Sequence, residues 1–380
     1  MAGAFRLNVR CRAWLFLLAA ACTFGSVPVL AGDWNQTLTL PATLEYDSNL
    51  PLSATKKQGV SRLIVVPAYN LIGTYGIDEL KAGLGLNVER SADQRVSMNR
   101  QDPNLRLGWR HLTETGEFSL TTTYSEVSSR AAELQDTGGI TTDSTRKTKS
   151  LGGAWSSAIT ELSTLTANAD YNTVSYDAGT QSNYNNVAAG ISWRYAWSER
   201  INPFLSFTVN HSVPTKSTAT GGGTSDNYTV TGGVKVNASE RIEWTAQGGL
   251  NRVSAQTNDT GWQGSVDMKY RGGRYDAALI AGRSAVVSGD GGFVAADRVT
   301  AAFSYAIGER SSAGLTASWQ VTKGNSPNAM QQLGAWASHE LSPFWNARLS
   351  YQHKLRSQIG QPDASGDALG LTLVYSPRNF

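Results

Sequence analysis

From about Asp33 to Tyr375 the chain alternates apolar and polar residues in segments of roughly ten. In one of them Trp345, Ala347, Leu349 and Tyr351 are apolar, and Asn346, Arg348, Ser350 and Gln352 lie between them. Successive side chains of a strand point to opposite faces, so each such segment has one apolar and one polar face. The pattern predicts strands near 36–47, 61–73, 79–90, 102–112, 116–127, 147–157, 160–172, 184–197, 201–212, 226–237, 241–253, 262–271, 274–284, 295–307, 312–322, 329–339, 343–355 and 366–376, about 18 in all. Short turns such as Thr113-Glu114-Thr115, Gly272-Gly273 and Glu340-Leu341-Ser342 alternate with longer polar loops, including 128–146, 173–183, 213–225, 285–294 and 356–365. Repeated along one chain, this rhythm predicts an all-β fold: an antiparallel transmembrane outer-membrane β-barrel of about 18 strands with both ends periplasmic.

Aromatic residues gather at the short turns: Tyr195, Trp197, Phe204, Trp244, Tyr275, Tyr305, Phe344 and Trp345. Amphipathic rings favour the membrane–water interface, so these read as an inner girdle. A soluble β-sandwich with an aromatic core is the alternative, but it uses far fewer strands.

The first 31 residues differ from the rest. Arg6, Arg10 and Arg12 precede an apolar run, Trp14 to Ala21, too short to span a bilayer, and Val29-Leu30-Ala31 offers a cleavage point. The expected organisation is a cleaved signal peptide, 1–31, followed by one barrel domain, 32–380. A lipoprotein route through Cys22 is the rival, with Ala19 standing where such sites usually have Leu. Both cysteines, Cys11 and Cys22, fall in this segment, so cleavage after Ala31 leaves none, as suits export into an oxidising compartment. It also leaves 30 basic and 30 acidic residues. A balanced chain without a basic stripe gives no reason to expect nucleic acid as a partner.

If the apolar phase faces lipid, the polar phase lines a lumen. Arg106, Arg110, Arg194, Lys235, Lys269, Arg298, Arg348 and Lys354 then point inward, with Glu45, Glu89, Asp170, Glu243, Asp267 and Asp276. Such charges can simply solvate a wet interior and pair with one another. Left unpaired, they favour anions along the path. The loop 128–146, with Gly138-Gly139, is the longest. It is expected to be a surface loop, with an inward-folded constriction as the alternative. No His-Glu-x-x-His, phosphate loop or Gly-x-Ser-x-Gly pattern occurs, so no enzyme, cofactor or metal site is expected. The four histidines are expected at the interface or in loops, though a Ser–His contact on the outer wall would still permit a hydrolase.

Near the end, Gly370, Leu373 and Tyr375 are followed by Phe380, with Pro377 and Arg378 breaking the alternation. This spacing resembles the last-strand signal read by the outer-membrane assembly machinery. Together with Tyr46-Asp47-Ser48-Asn49 after the first strand, it gives the chain a resemblance to β-barrel porin family 2. The resemblance implies an outer-membrane channel of a Gram-negative bacterium that secretes an exopolysaccharide made by an inner-membrane system. Its partners would be outer-membrane lipid, the assembly machinery and periplasmic polysaccharide-export proteins. A diffusion porin for small hydrophilic solutes is the alternative, and an outer-membrane enzyme or adhesin the third reading.

Overall fold

The computed structural model describes residues 32–139, 142–179, 181–216, 223–254, 258–287, 292–323 and 327–377. The proposed signal segment with Cys22, and Phe380 at the other end, lie outside the described residues. The strands are β1 (Asp33–Asp47), β2 (Val60–Val65), β3 (Ala68–Tyr75), β4 (Asp78–Ser91), β5 (Arg100–Leu112) and β6 (Gly116–Ser128). After a short helix, α1 (Ser129–Asp136), come β7 (Thr145–Thr160), β8 (Ser163–Tyr176), β9 (Asn183–Tyr195), β10 (Ile201–Lys216), β11 (Ser225–Asn237) and β12 (Ile242–Ser254). The chain finishes with β13 (Asn258–Arg271), β14 (Tyr275–Val287), β15 (Phe293–Ala306), β16 (Ser311–Lys323), β17 (Asn328–Ser342), β18 (Trp345–Gln358) and β19 (Ala364–Tyr375).

Neighbours in sequence pair antiparallel around the sheet, and β1 pairs with β19 from Leu40 opposite Tyr375 to Asp47 opposite Ala368. The sheet is therefore a closed ring without an edge, which is what a bilayer demands of strands. β2 and β3 are two halves of one strand: both lie between β1 and β4, in one unbroken register. The gap falls at Val66 and Pro67, because proline has no N–H to give the ladder. The wall thus has 18 strands.

Burial is inverted relative to a water-soluble protein. Leu44, Leu250, Leu315 and Leu333 stand about 60% exposed on the outer face, together with most of the large apolar residues. Facing water, each would forfeit about 1.5–3 kcal/mol of burial; facing lipid it does not. Trp193 stacks on Tyr195, Tyr270 on Tyr275, and Trp345 meets Tyr375, all near the short turns. Phe204 corrects the girdle reading. It pairs with Arg194 and Gly233, while its neighbour Leu205 is exposed on the lipid side, so Phe204 faces the lumen. The short turns and both described chain ends lie at one end of the barrel, the periplasmic end in such proteins.

Candidate functional site

The connection between β6 and β7 is not a surface loop. It turns inward and crosses the lumen, correcting that expectation. α1 begins at Ser128, whose Oγ accepts from Ala131 N (3.4 Å), and its flank is held by the wall it leaves: Tyr176 Oη donates to Glu133 (2.6 Å), and Arg146 pairs with Asp136. A helix leaves its last carbonyls without partners. Here the opposite wall supplies donors. Arg298 Nη2 donates to Gln135 O (3.3 Å) and to Asp136 O, and Gln320 Nε2 to Asp136 O (3.2 Å). Thr322 Oγ1 and Asn328 Nδ2 donate to Thr137 O, the latter at 3.2 Å. The cation also complements the negative end of the helix dipole. Gly138 has φ +70°, and a Cβ there would lie 2.6 Å from Asn328 Oδ1, so both conformation and space call for glycine where the strap meets β17.

The two preceding loops pack with this strap. In the β1–β2 loop, Leu52 (φ +46°) is fully buried against Met330 and Ala364, with Leu134 of α1 beside them. Asn49 pins it through Nδ2, donating to Ser53 O and Ser365 O (both 2.9 Å). In the β4–β5 loop, Val96 O accepts from Arg130 of α1 (2.9 Å), and Met98 N donates to Asp143 (3.0 Å). Burial depresses the Arg130 pKa, and Asp143 opposes the shift.

Strand register and the exposed apolar neighbours put each predicted lumen residue on the inward phase. Their partners divide them. Glu45 and Glu89 flank Arg62, the latter at 3.1 Å. Arg110 lies between Glu79 (3.2 Å) and Glu117 (3.6 Å). Lys235 pairs with Glu243 (3.2 Å), Lys269 with Asp267 (3.7 Å), and Lys354 with the buried Asp47. Arg298 is committed to the strap. Asp170 closely approaches Gly152, and Asp276 sits in register with Arg271. Among the described residues, Arg106, Arg194 and Arg348 have no carboxylate partner. Arg348 instead lies over the Trp336 ring, 4.3 Å from its centroid. Sequence reasoning missed several inward cations, Arg62, Arg100 and Arg146 among them. Arg62 sits by the Pro67 break, where Leu63, Ile64 and Val65 blur the alternation. Arg100, bound to Asp102 (2.8 Å) and Ser144 O (2.9 Å), and Arg146 lie on strand ends that run past the predicted limits.

The four histidines lie on the outer face. His111, His211 and His353 contact Asp78, Asp226 and Asp367 across strands at 2.6–2.9 Å. His339 Nδ1 meets Ser311 Oγ at 2.8 Å, but no acid orients that imidazole among the described residues, as a nucleophile–base pair would need. Gly370, Leu373 and Tyr375 lie in β19, Gly370 inward and buried, and the other two outward in register with β1.

A closed barrel with this apolar outer band is an outer-membrane protein of a Gram-negative bacterium, built on the porin-type architecture. The crystal structure of Pseudomonas aeruginosa OccK5 (OpdH) is similar in fold, with a TM-score of 0.51 at 10% identity, covering 91% of this chain and 98% of that one. The outer membrane channel DcaP of Acinetobacter baumannii (TM-score 0.49, 12% identity, 93% and 99% covered) and A. baumannii OccAB4 (0.48, 10%, 92% and 100%) resemble it more loosely. At such identities the likeness is one of fold. No protein-family model matches the sequence, and a search of curated proteins finds no match, so the resemblance to β-barrel porin family 2 is supported only as far as the barrel.

Proposed function

We propose that the chain is a passive channel for small hydrophilic solutes, with a modest preference for anions. The observation that carries this is the strap. A segment anchored on β6 and β7 and bonded to β15, β16 and β17 divides the outer part of the lumen, as a size filter does. Arg106, Arg194 and Arg348, free of carboxylates, supply the anion preference by lowering the cost of a negative solute in a confined aqueous path. Polysaccharide export is the weaker reading, because a polymer must thread past a strap bonded at both ends. Export would also call for periplasmic partners, whereas diffusion calls only for lipid and solute. Residues 1–31 serve in this proposal as the export signal, and β19 as the segment read by the assembly machinery.

Swelling of proteoliposomes tests the proposal. A monosaccharide should enter quickly and a tetrasaccharide slowly, and removal of residues 130–139 should narrow that difference. Absence of swelling with either sugar, in vesicles shown to hold folded barrel, would overturn it. Loss of extracellular polysaccharide in a deletion strain would then favour export.

A further inference from the structure

Two aromatic rings on the lumen face, those of Trp336 and Phe204, each lie against a glycine. The Trp336 ring covers Gly314 so closely that a Cβ there would lie 2.6 Å from its Cε2 and Cζ2 atoms. The Phe204 ring covers Gly233 in the same way, with a virtual Cβ 2.5 Å from Cζ. Each ring has a lumen arginine without a carboxylate partner beside it. Arg348 is stacked on Trp336, and Arg194 is the cross-strand neighbour of Phe204, on the opposite side of the ring of strands. Arg348 is an exposed residue, and its guanidinium makes no hydrogen bond or ion pair among the described residues. Glycine, indole and guanidinium thus form layers from the wall inward.

We infer that the Gly314–Trp336–Arg348 stack is an anion-binding station on the solute path, taking the carboxylate or phosphate group of a small solute. The inference rests on the channel reading for its role, but not for its chemistry. A guanidinium held flat keeps its N–H donors in the plane of the fork, which matches two oxyanion oxygens at once. A flexible arginine in water would first have to be ordered. The indole does that ordering and leaves the charge intact, whereas the glutamates around Arg110 occupy the donors they order. Trp336 is therefore a positioning residue, and Gly314 gives it the space to lie flat.

Modification of the folded, detergent-solubilised barrel by phenylglyoxal, read residue by residue by peptide mass, tests this without requiring conduction. Inorganic phosphate should slow modification of Arg348 and leave that of Arg110 unchanged. Trp336→Phe should keep the protection, and Trp336→Leu should raise the half-protecting phosphate concentration about two- to fivefold, the factor expected for an exposed cation–π contact. Gly314→Ala, which pushes the ring off the wall from behind, should act like Trp336→Leu, so the inference does not hang on one variant folding. Lack of phosphate protection at Arg348 in the wild type would overturn it, as would equal protection in the Phe and Leu variants. Protection without ionic current in bilayers would leave the station standing and remove the channel reading; current without protection would do the reverse.

Discussion

Removing the far-wall donors should release the strap while leaving the barrel whole. In Arg298→Ala with Gln320→Ala, the three hydrogen bonds from these side chains to Gln135 O and Asp136 O are lost, and no ladder bond is touched. Bonds from a charged donor contribute about 1.5–3 kcal/mol each, and a neutral one about 0.5–1.5. The freed carbonyls face a wet lumen and regain water, so the net loss should fall below the low-end sum of about 3.5 kcal/mol, at about 2 kcal/mol. Docking would then weaken by about 30-fold, since each 1.36 kcal/mol is a factor of ten. Thr322 and Asn328 still hold Thr137 O, so the strap should visit the undocked state rather than leave permanently. Hydrogen exchange of the amides in 129–139 should accelerate by about that factor, with the strand amides unchanged. Single channels should flicker to a higher current level. Unaltered exchange and unaltered current in the double variant would refute the claim that these contacts hold a constriction.

Other consequences follow from the same geometry. Arg194→Glu together with Arg348→Glu should weaken or reverse anion preference, read as the reversal potential across a salt gradient; an unchanged potential would remove both arginines from the solute path. Asp47→Asn leaves Lys354 buried without its carboxylate, so unfolding in urea should require about 3 kcal/mol less, the usual cost of halving a buried pair. A wild-type midpoint would mean the pair is not buried in solution. Gly138→Val should loosen the strap as the donor deletions do, and strap exchange kept at the wild-type rate would contradict the tight fit to Asn328. Intact mass should place the mature start at Gly32; an acylated Cys22 would establish the lipoprotein route instead.

The wall was legible in the sequence because its physics is periodic. Lipid outside and water inside impose period two on every strand, so the phases of Arg106, Arg194, Lys235 and Arg348 could be read without knowing their neighbours. What escaped is non-local. Ser129–Asp136 offers Leu134 as its one large apolar residue, too little to signal burial. The groups that dock it, Gln320 and Asn328, lie more than 180 residues away. Which charges pair is likewise set by register across strands, so Glu45 and Glu243 were seen, but their partners Arg62 and Lys235 could not be matched to them. Phe204 misled because it lies near a turn: proximity suggested a girdle, whereas its phase opposite Leu205 decides its face. Trp336 drew no notice because its role depends on Gly314, a residue whose contribution is the absence of a side chain.

With its strap docked, this barrel is proposed to be an open path for small solutes. Single-channel recording of the purified, folded protein in planar bilayers tests this head-on. Discrete steps of ionic current are expected in simple salt, with a reversal potential displaced toward that of the anion and a larger step when residues 130–139 are removed. Bilayers that demonstrably contain folded barrel yet pass no current, with or without the strap, would contradict the proposal.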